Sequence, residues 1–493
     1  MKVLLIAPYF QRITSGHIVV PRGDFIPSAA LLHLASILRQ YNHEPILLDF
    51  NNTETDEHRE NYIDYCKKVI KKTLDEKKPD LVGINCLFSG AFPDVLEYAK
   101  TVKSHSPNLK VAIGGIHPTT YPKEILTHCK EIDYIAIGEG ENSLISLVKA
   151  LEKNSENLLT SIKSFAFRNS EGKVKINRES NYVEDLDTLP LPAWDLVDFK
   201  KFGMNLDHYY NPKDLPLKYM AAVFTSRACP LSCNFCDLFM VMGKKHRKRS
   251  VKAIVDEMEY LNKSHEVNYF SFRDDQLTLN RPLIMGVCDE IIKRKLNIMF
   301  DAANGLWINS LREDVIARMA EAGFVYANLA IEHGDDYMRN EIIQKVLDRK
   351  KIYEVVKLFK KHNIMATGMF IMGFPEETNE TLQNSYDMIE DLQLDKATVA
   401  TLIPFPGTKL FKQVVKDRLF IKETNYDELW KTPQSLVQRD FVIKPYNMDV
   451  EDLYVWRDKF DKLRTKYWKT NPKQVPEFQS KAPGLVMPDK VVI

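Results

Sequence analysis

Residues 228–239 read ACPLSCNFCDLF and place Cys229, Cys233 and Cys236 in the spacing CxxxCxxC. Three of the chain's seven cysteines fall here; the segment holds no fourth, and after it comes only the isolated Cys288, with no second Cys-rich segment. A closed zinc site takes four ligands. Thiolates are also the ligands of iron-sulfur clusters, and soft sulfur at this spacing lets one loop hold several irons of a cubane. A 4Fe-4S cluster on Cys229, Cys233 and Cys236 keeps one iron without a protein ligand, a position open to a small molecule. Zinc on three thiolates plus His246 is a competing reading. The basic run Lys244-Lys245-His246-Arg247-Lys248-Arg249 is a poor electrostatic setting for it. Unconnected structural cysteines are a third reading. The basic run itself reads as solvated surface, or as a partner for a phosphate or carboxylate close to the cluster loop.

Working outward, apolar runs predict strands over 221–225, 269–273, 298–303, 326–331, 365–372 and 396–403. Helical periodicity lies between them over 251–262, 283–294, 313–322, 349–362 and 379–392, with Ser250 as an N-cap. Six β/α repeats are two short of an eightfold barrel, so 215–410 reads as a partial, open (β/α)6 TIM-like barrel with its catalytic groups at strand carboxyl ends. The cysteine loop follows the first of these strands. Upstream, strands over 2–7, 45–49, 80–86, 110–113 and 134–137 alternate with helices, the pattern of an α/β, doubly wound, Rossmann-like parallel sheet over 1–152. Such sheets bind ligands outside the carboxyl ends of their strands. The turns Gly114-Gly115 and Gly138-Glu139-Gly140-Glu141 fall there.

Residues 153–214 break the rhythm and read as an ordered linker, with a hairpin over 164–176 and then LDTLPLPAWDLVD at 186–198. Pro190 and Pro192 prevent regular helix, and Trp194 is expected to pack against a domain and help clamp the two together. The last part, 411–493, holds Trp430, Trp456 and Trp468 and a proline-rich end over 472–488. It reads as a small, mainly helical cap with a loose tail that helps set the substrate.

Composition agrees with a large globular protein. At 493 residues the chain needs more than one core, and 44% hydrophobic with 27% charged residues is a globular balance. Lysine plus arginine number 68 against 67 aspartate plus glutamate, so no global field favours nucleic acid or an anionic membrane. The first apolar run is about seven residues long, too short for a signal-peptide core. No run approaches the ~18–20 residues of a membrane span. The expected location is therefore cytoplasmic, a reducing compartment in which clustered cysteines are metal ligands or reactive thiols. Cys66, Cys86, Cys129 and Cys288 are scattered and read as packing residues.

The cysteine loop resembles that of the radical S-adenosylmethionine (SAM) superfamily, where CxxxCxxC with an aromatic before the last cysteine, here Phe235, binds a 4Fe-4S cluster. The resemblance implies that the amino and carboxylate groups of SAM chelate the open iron. Reduction then yields a 5′-deoxyadenosyl radical that abstracts hydrogen from substrate, chemistry carried by the cofactor and oriented by the protein. Later segments agree in order. Phe272-Arg273-Asp274-Asp275 stands where the family usually has Gly-Gly-Glu, so Asp274 or Asp275 would meet the SAM amino group. Glu332, in Ile331-Glu332-His333-Gly334, resembles the contact to the ribose or methionine part, with His333 replacing a commoner serine. Gly373 and Pro375, in the segment FIMGFP at 370–375, resemble the fifth-strand adenine contact, and Pro406, in PFPGT at 404–408, the sixth-strand one. A salt-bridge role stays open for a strand-ending glutamate such as Glu332.

Residues 80–141 resemble the cobalamin-binding domain that precedes the barrel in one large subfamily, on the segments DLVGIN at 80–85, GGIHP at 114–118 and GEGE at 138–141. This implies contacts to the nucleotide tail from Gly114, Gly115, His117, Gly138, Glu139, Gly140 and Glu141. It also places Phe88 or Ser89 nearest cobalt. Glycine admits a bulky ligand to the backbone, though Gly114 and Gly140 have the alternative of simply closing tight turns. The motif Asp-x-His-x-x-Gly, which gives many cobalamin proteins their lower cobalt ligand, is absent, as it commonly is in the radical SAM members. A domain that keeps its shape without cobalamin is the alternative.

The resemblance spans about residues 1–410. It implies a cobalamin-dependent radical SAM enzyme acting on an unactivated carbon, most commonly by methyl transfer. The same cofactors serving cyclisation, oxidation or dehydration form a second reading, and a non-catalytic cobalamin or iron-sulfur sensor a third. A small-molecule or biosynthetic-intermediate substrate and a flavodoxin or ferredoxin-type electron donor are the implied partners. No general acid or base is assigned, because radical abstraction needs none.

Overall fold

The computed structural model describes residues 1–9, 13–14, 17–18, 26–87, 89–202, 206, 209–422, 430 and 440–468, with 13–14, 17–18, 59 and 464–468 described by backbone alone. Two sheets organise these residues. The first contains β1 (Lys2–Ala7), β2 (Glu44–Asp49), β3 (Leu81–Asn85), β4 (Lys110–Gly114), β5 (Tyr134–Ala136), β6 (Phe165–Arg168) and β7 (Val174–Asn177) in the order β2-β1-β3-β4-β5-β6-β7. Pairing from β2 through β5 is parallel. The order 2-1-3-4-5 puts a topological switch point between β1 and β3, and the carboxyl ends there are where such a sheet binds ligands.

Apolar helix faces cover both sides of the sheet, which is why β1 is buried along five of its six residues. Helices α1 (Ala29–Gln40) and, further along the chain, Glu141–Glu152 bring Leu31, Leu38, Leu144 and Val148 to one face. The helices Tyr62–Lys77 and Phe92–His105 bring Ile70, Leu74, Val95 and Val102 to the other.

The expected domain end at 152 moves. The 164–176 hairpin, read from sequence as part of the linker, is β6 and β7, and it pairs antiparallel with β5. Left alone, β5 would present a bare edge of backbone donors and acceptors, and the hairpin covers it. The connection between the domains therefore begins after Asn177. Its centre is anchored on both sides. Ala193 N–H donates to the Leu32 carbonyl at 3.2 Å, and Trp194, 1% exposed, donates from Nε1 to Glu257 Oε1 at 2.9 Å. Trp194→Phe keeps most of the ring and removes this bond to a buried carboxylate. The expected loss is about 1.5–3 kcal/mol in equilibrium unfolding, and a loss near zero would mean that the indole only fills space.

The second sheet has strands β8 (Tyr219–Val223), β11 (Val267–Phe272), β12 (Met299–Ala302), β13 (Phe324–Glu332), β14 (Met365–Met372) and β15 (Lys396–Thr401), in that order and all parallel. A short antiparallel pair, β9 (Ser226–Arg227) and β10 (Arg247–Lys248), brackets the cysteine loop. Helices alternate with the barrel strands and bury one continuous core with them. On the inner face of β13, Tyr326, Asn328 and Ala330 stay half-buried between fully buried neighbours, so this side of the barrel remains open. The helix Val450–Trp468 sets Leu453, Trp456 and Phe460 into the barrel core, next to the edge strand β15. Trp430 instead stacks on His128 at 5.3 Å and belongs to the first domain's core, so the C-terminal region touches both domains. The side chain of Trp468 and the 472–488 tail lie outside the described residues. Among the described residues, no helix is long and apolar enough to cross a membrane.

Candidate active site at the domain junction

The cysteine loop leaves the carboxyl end of β8 and is held from several sides. Asp274, just past β11, accepts from the Thr225 amide at 3.0 Å and from the Thr225 and Ser226 hydroxyls at 2.6 Å each. Those bonds give Asp274, expected as a SAM contact, a structural task in fixing the loop's start. Within the loop, Asn234 N–H donates to the Ile343 carbonyl and the Asn234 carbonyl accepts from Leu410 N–H, each at 3.0 Å. Phe235 is half-buried and meets Phe374 edge-on at 6.4 Å, so part of this ring is used in packing.

Cys229, Cys233 and Cys236 are free, half-buried thiols. Burial pushes the Cys233 thiol up to about 11 and the Cys236 thiol up to about 12. Thiols raised in this way ionise where a positive charge stabilises the thiolate, as the irons of a cluster would. No three His, Cys, Asp or Glu among the described residues converge on one metal ion. The thiolates of a cluster bind separate irons and need not converge on one point, so the cluster reading does not depend on such a group. Buried side-chain oxygens without a hydrogen-bond partner surround this end of the barrel: Asp275 Oδ2, Gln276 Oε1 and Asn234 Oδ1. Burial, reinforced by Asp274, pushes the Asp275 carboxyl up to about 7. Orphaned buried acceptors are rare in folded proteins. Three free thiols beside three such acceptors fit a cluster with a ligand that brings hydrogen-bond donors.

The fourth and fifth strand ends are built as a unit. His333, fully buried, meets Glu377 Oε1 from Nε2 at 2.8 Å and accepts the Asp335 amide at Nδ1, which fixes Nε2 as the protonated nitrogen. Glu377 Oε2 accepts from Gly373 N–H at 2.9 Å, so the histidine that replaces a serine ties the β13 end to the β14 end. Gly373 (φ +99°) faces Phe441, Pro375 is buried and its carbonyl accepts from Tyr446 N–H at 2.8 Å, and Pro406 is buried beside them in the chain's next turn. Glu332 does not stand free. It pairs with Lys345 at 2.8 Å, both being over nine-tenths buried. Sequence gave no hint of Lys345, because a lysine in a polar loop carries no periodicity.

In the first domain, the turns after β3, β4 and β5 lie together. Ser89 Oγ and His117 Nδ1 meet at 3.0 Å, and the imidazole packs against Phe92 at 4.4 Å and Tyr121 at 5.4 Å. Burial pushes His117 down to about 4, leaving it neutral. Gly115 (φ +121°) is required by the fold itself, since a Cβ there would lie 2.2 Å from the Cys86 carbonyl oxygen. A Cβ on Gly114 would be in ordinary contact with Ala136, its methyl at 3.5 Å and its carbonyl oxygen at 3.9 Å, and Leu87 beside it is 48% exposed. This small-residue, partly apolar rim at the carboxyl ends of β3 to β5 fits a large cofactor; Phe88 lies outside the described residues.

The GEGE turn has a different role from the one expected. Glu139 receives Arg247 at 2.6 and 2.9 Å and Arg227 at 3.5 Å, and Glu141 receives Arg227 at 2.7 Å, all of them buried or nearly so. Burial raises the Glu141 carboxyl, but Arg227 outweighs it and holds the group below its usual range. Gly138 lies against the Val241 carbonyl, where a Cβ would approach to 3.1 Å, and Gly140 opens the helix Glu141–Glu152 against Leu34. The turn is therefore a junction with β9, β10 and the short helix Phe239–Met242, and it engages Glu139 and Glu141, expected as tail contacts, in ion pairs with Arg227 and Arg247. Part of the basic run thus meets carboxylates rather than solvent.

Comparison with known proteins agrees with this two-part site. Residues 17–148 match the B12 binding domain and residues 223–389 the Radical SAM superfamily. The chain is 29% identical over 436 residues to an uncharacterized methyltransferase of Pyrococcus horikoshii, covering 87% of this chain and 88% of that protein. It is 27% identical over 421 residues to the anaerobic magnesium-protoporphyrin IX monomethyl ester cyclase of Rubrivivax gelatinosus, covering 84% and 70%. The solved structure of the radical SAM methyltransferase TsrM from Kitasatospora setae, with tryptophan and a SAM analogue bound, has the same fold at a TM-score of 0.66. That match covers 86% of this chain and 77% of TsrM at 18% identity.

Proposed function

We infer, from the matches to the Radical SAM superfamily and to the B12 binding domain ahead of the barrel, a cobalamin-dependent radical SAM enzyme that transfers a methyl group to an unactivated carbon. One observation carries the reading. Three free thiols and the unpartnered Asp275 oxygen lie at the ends of adjacent barrel strands, and the strand-end turns of the first domain abut the same loop. When bound, the cluster with SAM supplies the radical and cobalamin the methyl group.

The chain's own contribution is placement. Cys229, Cys233 and Cys236 hold the cluster, and Asp275 offers an acceptor to the SAM amino group. Gly373, Pro375 and Pro406 form the wall toward adenine, with Phe235 behind them. Ser89, Gly114 and His117 form the opposite rim for cobalamin. We assign the substrate to small molecules entering the open side of the barrel. The electron donor is a flavodoxin or ferredoxin, and the reducing cytoplasm is the setting that keeps the thiols available.

The test is incubation of the reconstituted, reduced holoprotein with candidate substrates and SAM labelled on its methyl group. Formation of 5′-deoxyadenosine together with label in the product is expected. Because the Rubrivivax relative is a cyclase, a second outcome has meaning: 5′-deoxyadenosine with an unlabelled, cyclised or oxidised product would replace methyl transfer with that chemistry. Absence of SAM cleavage by protein with an intact reduced cluster would sink both.

A further inference from the structure

We propose that Lys345, acting against Glu332, is the counter-charge that sets the reduction potential of the cluster held by Cys229, Cys233 and Cys236. The inference rests on the cluster assignment above and adds to it a residue that neither motif nor spacing identifies.

The geometry is specific. Lys345 is buried, and among the described residues its Nζ has a single hydrogen-bond partner, Glu332 Oε1 at 2.8 Å, leaving two of its three donors unspent. Its backbone is fastened to the cysteine loop: Asn234, directly after Cys233, donates to the carbonyl of Ile343, two residues before Lys345. Lys409 reaches across to Gln344 Oε1 at 2.8 Å, and Lys345 N–H donates to the Arg339 carbonyl at 3.0 Å. The chain accepts unfavourable backbone to hold this arrangement. Gln344 (φ +63°) and Val346 (φ +53°) flank the lysine in the left-handed region, and Glu332 (φ +68°) shares it. For a β-branched residue such as Val346 this is a true outlier, and such conformations persist where the surroundings over-determine them, typically at functional sites. Burial lowers the Lys345 ammonium, but the negative charge of Glu332, joined by that of Cys233 and Cys229 as thiolates, outweighs it and holds the group above its ordinary range.

Reduction adds one electron to a cluster already ligated by thiolates, so its charge becomes more negative by one unit. A buried ammonium nearby favours the reduced form, and the carboxylate paired with it favours the oxidised form. In a site shielded from water both effects are large, because charge interactions grow as the effective dielectric falls.

The experiment is a redox titration of the reconstituted full-length protein without SAM, followed by the electron paramagnetic resonance signal of the reduced cluster. Lys345→Met should lower the midpoint potential by at least a tenfold change in the oxidised-to-reduced ratio, about 59 mV for one electron. Glu332→Gln should raise it, and the double variant, neutral at both positions, should return close to the native value. Lys345→Arg, which keeps the charge, should move it little. A residue that merely supports the fold would shift both single variants in the same direction or neither, and either result overturns the proposal. So does a lysine that serves only the SAM carboxylate, which would weaken SAM binding and leave the SAM-free potential unchanged. Failure of the cluster assignment looks different: the native protein would then give no cluster signal at all.

Discussion

Cys233→Ala is expected to remove the cluster and with it all SAM cleavage, while leaving the apoprotein folded. The three loop thiols are half-buried and belong to none of the hydrophobic clusters, so alanine at Cys229, Cys233 or Cys236 should change the apoprotein's stability by no more than about 0.5 kcal/mol. Iron bound per chain after reconstitution and 5′-deoxyadenosine formed on reduction should both fall to background. Cys288→Ala makes the contrast. Cys288 is fully buried in the barrel core, so its replacement should cost about 1 kcal/mol and leave the iron content unchanged. Retention of iron and of SAM cleavage by any one of the loop variants would mean that another side chain can take its place, and the proposed ligand set would be wrong.

This separation of roles explains what could be read from sequence. Strands covered on both faces announce themselves as apolar runs, and the helices between them by 3.6-residue spacing, so both sheets are legible without coordinates. So is the hairpin at 164–176, but not its destination. Whether a hairpin joins a sheet edge depends on whether that edge is otherwise bare, which is a property of β5 and of nothing within the hairpin. The cysteine loop was legible because its chemistry depends on spacing along one short segment. Its supporting residues were not. Asp274 and Asp275 are neighbours in a motif, yet one is consumed by Thr225 and Ser226 and only the other has an unpartnered oxygen. Lys345 and Glu377 reach the site through pairings with residues 13 and 44 positions away.

The GEGE turn is the sharpest case. Its glycines suggested a nucleotide tail, yet Gly138 lies against the Val241 carbonyl and Gly140 against Leu34. Its carboxylates point to arginines on the other domain, and those arginines sit beside the cysteine loop: Arg227 precedes Cys229 by two residues, and Arg247 is its β-ladder partner. The first domain is thereby fixed to the strand pair that brackets the proposed cluster. A radical generated on one side and a methyl donor held on the other need a constant separation, and small misplacements of reacting groups cost large factors in rate.

Breaking that connection should be expensive. Arg247→Met leaves Glu139 buried with Arg227 at 3.5 Å as its remaining cation, and the expected loss is about 3–5 kcal/mol of unfolding free energy. Removing the carboxylate as well, with Glu139→Met in the same chain, should recover much of this, because the penalty comes from an uncompensated buried charge rather than from the lost attraction. The neighbouring pair adds a pH dependence. Arg227 holds the Glu141 carboxyl below its usual range, so the stabilisation from this pair is complete above the ordinary glutamate value of about 4.3 and disappears as the pH falls through the depressed folded value. Glu141→Gln should flatten the acid limb of the stability curve while leaving its shape above neutrality unchanged. Denaturant titrations of the four proteins across that range measure both effects. A double variant no more stable than Arg247→Met, or a loss below about 1 kcal/mol in the single variant, would show that these charges do not join the domains.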